Sequence, residues 1–269
     1  MKKILFGAGI LLVLVAVNGQ TPAQNKPDVS NKALLTTPGP SLQGRAEATA
    51  LHKLADDYYT WRNEQYPVRS SDAGLHTWDA RLTDYSPAKI AERAQHVRAL
   101  LGKVNAMPTA AWPKDERIDW ILFRAQLENA AFDDRVWHST SRDPQTYVSE
   151  CSNGIFSLLK KEYDTPQHRA VAATARLRAM PAMLAQGEKN LQQPVKLFAQ
   201  LAIKSARAID PLFNDSLMTT LAKDLAPNER EELSKARDAA LGAIHGFADH
   251  LEKQLPSMVA FAPMGEENY

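Results

Sequence analysis

The stretch HGFADH, residues 245–250, places two histidines and an aspartate on one predicted helix. Zinc peptidases carry H-E-x-x-H, because histidines four residues apart lie on one helix face with a glutamate between them as base. His245 and His250 are five residues apart. At about 100° per residue, their side chains point roughly 140° away from each other. Asp249 follows His245 by four residues, but one imidazole and one carboxylate supply only half of a typical zinc site. The stretch therefore predicts a solvated helix face.

The remaining histidines and the single cysteine do not assemble another reactive site. Cys151 lies in YVSECSNGIF, which matches no cysteine-protease signature, and it is interpreted as a small buried hydrophobe. The sequence also lacks G-x-S-x-G, CxxC and a phosphate-cradling glycine loop. No second histidine lies within one helical turn of any of the other five, which are His52, His76, His96, His138 and His168. We predict no catalytic residue, no metal ligand and no cofactor held by this chain alone.

The segment HTWDARLTDYS, residues 76–86, concentrates charged and aromatic side chains. As a substrate-binding loop, it would present Arg81, whose planar guanidinium pairs with a peptide carboxylate, together with Asp84 and Tyr85. As a structural turn, it would use Asp79 and Asp84 to accept hydrogen bonds from nearby backbone N–H groups, with Arg81 holding the loop down. Turns rich in Asp and Ser are common, which favours the structural interpretation.

Asn153 and Gly154 form a second candidate for substrate binding. If this pair opens a helix, its backbone N–H groups could bind an anion or a substrate carbonyl. The alternative is a tight turn before a helix, for which glycine is well suited. The candidate substrate-binding residues are therefore Arg81, Asp84, Tyr85 and Asn153.

Charge is nearly balanced along the chain, with 32 Lys and Arg against 31 Asp and Glu. There is no polybasic run, so the composition gives no reason to expect a nucleic acid or an anionic membrane surface as partner. A peptide or a small molecule remains the expected substrate class.

Residues 1–19 have the features of a secretory signal peptide. Basic residues precede the apolar run Ile4–Val17, and small residues follow, with cleavage expected after Gly19 or Ala23. The run is shorter than the ~20 residues of a membrane span; an uncleaved anchor helix is the alternative. The only cysteine lies far downstream, so we expect no lipid-anchored amino-terminal cysteine. We expect an exported protein, periplasmic or extracellular, with no stable membrane anchor after cleavage.

The elements that must position these residues are predicted to be helices. Residues 20–45 are rich in Pro, Thr, Asn, Gln and Ser and predict a flexible linker. From residue 46 to 269 the apolar residues follow the helical period, without a convincing alternating strand. We therefore predict an all-α domain of helical hairpins forming an irregular bundle. The predicted helices span about 46–65, 87–104, 114–136, 166–191, 197–209 and 229–255.

Local signals refine these helices. Ser86 and Thr165 each precede a proline, which predicts a capped helix start with proline at the first helical position. Pro181 lies inside a helical pattern, so that helix is predicted to kink or restart there. The inward face of the helix at 114–136 is predicted to carry Ile118, Ile121, Leu122 and Ala125.

Three stretches together resemble the bacterial "domain of unknown function 885" family. They are WRNEQYPVRSSDAGLHTWDARLTDYSP, SNGIFSLLKKEY and RLRAMPAMLAQGEKNLQQP, and the resemblance runs from about Leu51 to Tyr269. It implies a helical, zinc-metallopeptidase-like protein. Members carry H-E-x-x-H well downstream of the matched segments, in a longer chain, and this sequence contains no H-E-x-x-H.

The resemblance implies an amino-terminal half that forms cleft walls without the catalytic motif. Zinc is then implied only for a full-length relative, and the expected partner is a carboxy-terminal half of the same fold. Apolar surface shaped for that half would be exposed, at Met258–Phe261 and beside it on the face of Leu241, Ile244 and Ala248. The alternative is a free-standing, non-catalytic periplasmic helical binding module.

Overall fold

The computed structural model describes residues 42–268, and side chains from Ala48 onward. These residues fall in one compact unit spanning Pro40–Tyr269. They are all-α, as predicted, and contain a single isolated bridge between Val195 and Val259 rather than a sheet. The signal peptide and residues 20–41 of the linker lie outside the described residues.

The described chain contains ten α-helices and two π turns. Proline stands at the start of α2, α3, α7 and α10, where its missing N–H leaves no helical hydrogen bond unmade. The helices are α1 Leu42–Gln65, α2 Pro67–Asp72, α3 Pro87–Asn105, α4 Lys114–Phe132, α5 Ser139–Arg142, α6 Gln145–Leu159, α7 Pro166–Asn190, α8 Lys196–Arg207, α9 Leu217–Leu221 and α10 Pro227–Gln254. The π turns are Asp133–Trp137 and Pro211–Ser216.

Both helix starts predicted at a Ser-Pro or Thr-Pro pair are present, and one of the two has the side-chain capping bond. The Thr165 hydroxyl accepts a hydrogen bond from the His168 N–H at 3.2 Å, as a capping side chain should. Ser86 also stands at the N-cap of α3, with Pro87 as the first helical residue, as predicted. Its side chain makes no capping bond, however, and its own N–H donates to Asp84 Oδ1 at 2.7 Å. Of the kink or restart predicted at Pro181, the restart does not occur, since α7 continues as one helix through that residue.

A smaller core packs α1 against the hairpin of α3 and α4. On α4, the inward residues are Phe123 and Leu127, and the predicted inward face was wrong. Ile118, Ile121 and Leu122 are 42%, 56% and 63% exposed, and Ala125 is exposed as well. The helix carries apolar residues on two faces, so periodicity alone does not select one. The core comprises Ala48, Leu51, Tyr58, Val97, Leu100, Val104, Trp112, Phe123 and Leu127.

The larger core is built by α6 to α10, with α10 packed along α7 and α8. The face of Leu241, Ile244 and Ala248 is buried in it, so its predicted exposure was wrong. This face has partners within the described chain, which the sequence pattern alone did not reveal. The exposure predicted for the segment Met258–Phe261 is confirmed at its end, where Phe261 is 50% exposed.

The Arg176 side chain, fully buried on α7, joins four parts of the chain. Its guanidinium donates to the carbonyl oxygens of Arg81 at 3.0 Å and Gly154 at 2.7 Å. It also donates to the hydroxyls of Ser71 at 2.7 Å and Ser157 at 3.0 Å. These bonds tie α2, the loop after it and α6 to α7. Burial lowers the pKa of Arg176 to about 10, so the group remains charged at neutral pH.

The loop between α2 and α3 is held by two carboxylates. Asp79 accepts hydrogen bonds from Ser71 Oγ at 2.5 Å and from the Tyr163 hydroxyl at 2.5 Å. Glu150, on α6, accepts from the Thr83 N–H at 2.8 Å. The loop therefore has a fixed position against α6 and the start of α7.

Within the described residues, no helix combines the length and apolar character needed to span a bilayer.

Replacing Arg176 with alanine should lower the free energy of unfolding by roughly 3–5 kcal/mol, the cost of removing one member of a buried charged network. The control is Arg178→Ala on the same helix, where the guanidinium pairs with Glu232 at the surface. That change should cost less than about 1 kcal/mol. Urea denaturation followed by circular dichroism measures both. Equal losses in the two variants would contradict the central role of Arg176.

Candidate functional site

The predicted substrate-binding residues occupy three different environments. The Arg81 side chain is half exposed, with Nη1 3.6 Å from Glu64 Oε1. Asp84 accepts the backbone hydrogen bond from Ser86, and this bond is the main reason that its pKa is lowered. Asp84 thus has the geometry of the structural-turn interpretation. Tyr85 is the member of this group that lines a cleft.

Asn153 lies apart from these residues. It is exposed in the interior of α6, which begins at Gln145, so the helix start predicted at Asn153 is wrong. Its backbone N–H therefore faces along a continuous helix and not toward a ligand. Gly154 serves packing, because a Cβ there would lie 3.2 Å from the Leu82 side chain.

The cleft has a volume of about 410 Å³ and lies among α1, α3, α4 and the segment that follows α4. Three arginines line it: Arg62 on α1, Arg69 on α2 and Arg93 on α3. We call it the arginine cleft. Pockets of this size, about 300–1,000 Å³, commonly hold small ligands.

The three guanidiniums have no carboxylate partner among the described residues. Arg93 is 6% exposed, donates to the Asp84 carbonyl oxygen at 2.8 Å and lies over the Tyr66 ring. Burial, and then the neighbouring Arg69 guanidinium, lowers the pKa of Arg62. The arginine ion pairs in the described part of the chain involve Arg81, Arg98, Arg124, Arg178, Arg207 and Arg237 instead. The cleft therefore carries positive charge that is not neutralised by an ion pair.

Aromatic side chains form a second part of the lining. Tyr58 is buried, Trp61 stacks on His96 with ring centroids 4.0 Å apart, and both rings border the cleft. The Tyr85 hydroxyl donates to Glu150 Oε2 at 3.3 Å. Burial, and then the Glu150 carboxylate, raises the pKa of Tyr85 well above its ordinary value. The Tyr85 hydroxyl therefore stays neutral at neutral pH, where it donates a hydrogen bond and does not act as a proton acceptor.

The π turn Asp133–Trp137 supplies the remaining side of the cleft. It ends at His138, whose φ of 54° is the left-handed conformation that only a few non-glycine residues adopt. Asp133 accepts from the Ser139 N–H at 3.1 Å and hydroxyl at 2.9 Å, and Asp134 pairs with Arg98. The acidic groups on this side thus have partners of their own. π turns and left-handed residues are frequent at functional sites.

This geometry suits recognition of an anion that carries an apolar group. Guanidinium groups bind carboxylates and phosphates through paired hydrogen bonds. Aromatic faces would cover the apolar part of the ligand. The sequence did not indicate Arg62, Arg69 and Arg93 as site residues, because three residues on three helices share no spacing rule. The available signal was WRNEQYPVR, in which two arginines flank an aromatic residue and a helix-starting proline.

The stretch HGFADH lies within α10, as predicted, and two of its polar side chains have partners. His245 Nε2 lies 2.8 Å from Asp210 Oδ1, and Asp249 pairs with Arg207. Among residues 42–268, no three His, Cys, Asp or Glu side chains are grouped as metal ligands.

We expect the purified chain to hold no stoichiometric zinc, because Asp249 is already paired and the two imidazoles of HGFADH diverge. Elemental analysis after dialysis measures the zinc content. The matched control for His245→Ala is His168→Ala, which removes another histidine paired with an aspartate. One tightly held zinc per chain, lost in the His245 variant and kept in the His168 variant, would contradict this expectation.

Comparison with known proteins provides two similarities. The chain is similar in fold to the solved structure of a presumed lipoprotein of unknown function from Shewanella oneidensis, with a TM-score of 0.66 and 22% sequence identity. The match covers 81% of this chain and 38% of that one, so the chain spans well under half of the solved structure. No curated protein matches the sequence significantly. A family profile, "Bacterial protein of unknown function (DUF885)", matches residues 67–269. The chain therefore belongs to the bacterial DUF885 family.

Proposed function

We propose that this chain is the peptide-binding helical portion of an exported, metallopeptidase-like protein. In this proposal the arginine cleft holds the carboxylate end of a peptide, and the chain supplies cleft walls but not the metal. The observation that carries it is the set of three arginines, Arg62, Arg69 and Arg93, which line one cleft without a carboxylate partner among the described residues.

Electrostatics favours an anionic ligand. The Arg69 guanidinium is close enough to Arg62 to lower its pKa, which means that the two positive charges repel each other. A carboxylate between them would relieve that repulsion and accept hydrogen bonds from both. Arg93 adds a buried positive charge whose position is fixed by its bond to the Asp84 carbonyl oxygen.

The rest of the lining favours a carboxylate over a more highly charged group. Asp133 also lines the cleft and is hydrogen-bonded to Ser139 without a cationic partner among the described residues. Its negative charge disfavours a dianionic phosphate more than a single carboxylate. The partly exposed Trp61 provides apolar surface for the side chain of a terminal residue. A peptide ending in an aromatic or large aliphatic residue meets both requirements.

The metallopeptidase-like role comes from the family resemblance, and the proposed export comes from the signal sequence at residues 1–19. Hydrolysis would require a zinc-bound water together with a general base. In relatives that carry it, H-E-x-x-H would provide these outside the segments matched here. The chain alone is therefore expected to bind a peptide without cleaving it, which is also the behaviour of a free-standing binding module.

The test compares the acid and the amide of one peptide. Isothermal titration of N-acetyl-Ala-Ala-Phe with a free carboxylate should show binding at least about tenfold tighter than that of its amide, since charge-assisted hydrogen bonds are lost in the amide. Arg62→Gln and Arg69→Gln should each weaken binding of the acid about tenfold or more. The matched control is Arg117→Gln, because Arg117 is exposed on α4 and lies outside the cleft lining.

Equal affinity for acid and amide, in variants whose circular dichroism shows intact helices, would contradict the proposal. So would unchanged affinity in both the Arg62 and the Arg69 variants. Mass spectrometry of the recovered peptide checks for cleavage, and hydrolysis by the isolated chain would contradict the proposed absence of catalytic groups.

A further inference from the structure

A second pocket lies on another side of the same π turn. Asp133, Asp134 and His138 line the arginine cleft, whereas Arg135 and Trp137 line this pocket of about 390 Å³. Its remaining walls come from α5, the start of α8 and the segment that follows α10. We call it the aromatic pocket.

Backbone hydrogen bonds connect these walls. The Val195 N–H donates to the Arg142 carbonyl oxygen at 2.9 Å, which joins the segment before α8 to the end of α5. The Val259 N–H donates to the Pro194 carbonyl oxygen at 3.2 Å, and the Lys196 N–H donates to the Val259 carbonyl oxygen at 2.9 Å. The chain after α10 is thereby fixed against the start of α8, so the pocket is formed before any ligand enters.

Three aromatic rings form the apolar part of the pocket. The Trp137 and Phe198 ring centroids are 5.6 Å apart, and those of Phe198 and Phe261 are 5.8 Å apart. Phe261 nevertheless stays 50% exposed, and Met264 beside it is 38% exposed. Exposed aromatic and thioether surface in a concave site gains free energy when an apolar ligand covers it.

Two positive charges accompany this apolar surface. Arg135 is exposed and Arg142 is half-buried, and neither forms an ion pair with a carboxylate in the described part of the chain. The nearby Glu267 carboxylate accepts a hydrogen bond from Asn268 Nδ2 at 3.3 Å and is not among the lining residues. An occupant that fits both features has an aromatic ring and one negative charge.

We propose that the aromatic pocket binds a small aromatic carboxylate of the arylpropionate type. Its ring packs among Trp137, Phe198 and Phe261, and its carboxylate receives hydrogen bonds from Arg142, with Arg135 at the rim. A cavity of about 150 Å³ holds a single benzene ring, so a pocket of about 390 Å³ has room for a ring with a short acidic tail. This site shares no residue with the arginine cleft and does not rest on the function proposed for that cleft.

Isothermal titration with three probes tests the two required features separately. In the double variant Arg62→Gln, Arg69→Gln, which removes two guanidiniums of the arginine cleft, we expect 3-phenylpropionate to bind at one site per chain. Its affinity should be at least about tenfold higher than that of 3-phenyl-1-propanol, which lacks the charge, and that of propionate, which lacks the ring. Arg142→Gln and Phe261→Ala should each weaken binding of 3-phenylpropionate about tenfold. Because Arg142 is half-buried, Arg135→Gln provides a second charge variant at an exposed position, with a smaller loss expected.

Variants of the other cleft serve as the control. Binding of 3-phenylpropionate should persist in the Arg62→Gln, Arg69→Gln variant and weaken when Arg142→Gln is added to it. Loss of binding in the Arg62→Gln, Arg69→Gln variant, with no loss in Arg142→Gln alone, would assign the probe to the arginine cleft and overturn the proposal. Equal binding of the acid and the alcohol, or no saturable binding at millimolar probe, would also overturn it. So would concentration-dependent dimerisation that Phe261→Ala abolishes, because the exposed rings would then be an interface between two copies.

Discussion

The buried guanidinium of Arg176 sets the constraint on which the rest of the structure depends. Taking this charge out of water is costly, and the cost is offset only where several acceptors surround it at fixed positions. Here the acceptors are contributed by α2, by the loop that follows and by α6. The same loop leads into Asp84 and Tyr85, and the Asp84 carbonyl oxygen holds Arg93. The hydrogen bonds that the buried Arg176 requires therefore also fix the position of the loop that holds Arg93 in the wall of the arginine cleft.

The two pockets share the π turn and differ in what surrounds it. On the side of the arginine cleft, α1, α2 and α3 contribute guanidiniums and the π turn contributes acidic groups that already have partners. On the side of the aromatic pocket, α8 and the chain after α10 contribute rings. A turn of this type directs consecutive residues away from the normal helical face, and the left-handed His138 completes the change of direction. Neighbouring side chains thereby reach separate pockets.

Fold class and most helix positions could be predicted because helical periodicity and proline-based starts are local signals. Thr165 caps α7 as its sequence context indicates.

The inward face of α4 could not be predicted, because Ile121 and Phe123 lie on two faces that are both apolar and the packing partner alone decides between them. The start of α3 at Ser86 and Pro87 could be predicted, but the absence of a capping bond from the Ser86 side chain could not, because sequence alone does not fix the direction of a hydroxyl. Tyr85 was selected from sequence and does line a cleft, whereas Arg62 and Arg69 were missed because tertiary packing brings them together.

The network around Arg176 also constrains the order in which the chain can fold. Arg176 and Ser71 are separated by 105 residues, as are Asn190 and Tyr85, which form another bond between α7 and the loop before α3. Closing a loop of that length costs entropy before any contact is gained, and such contacts slow folding. The hairpin of α3 and α4 uses much shorter separations and can form as soon as it leaves the ribosome. Until α7 is added, water must satisfy the Ser71 hydroxyl and the backbone oxygens that later accept hydrogen bonds from Arg176. The loop between α2 and α3 then lacks the contacts that fix its position.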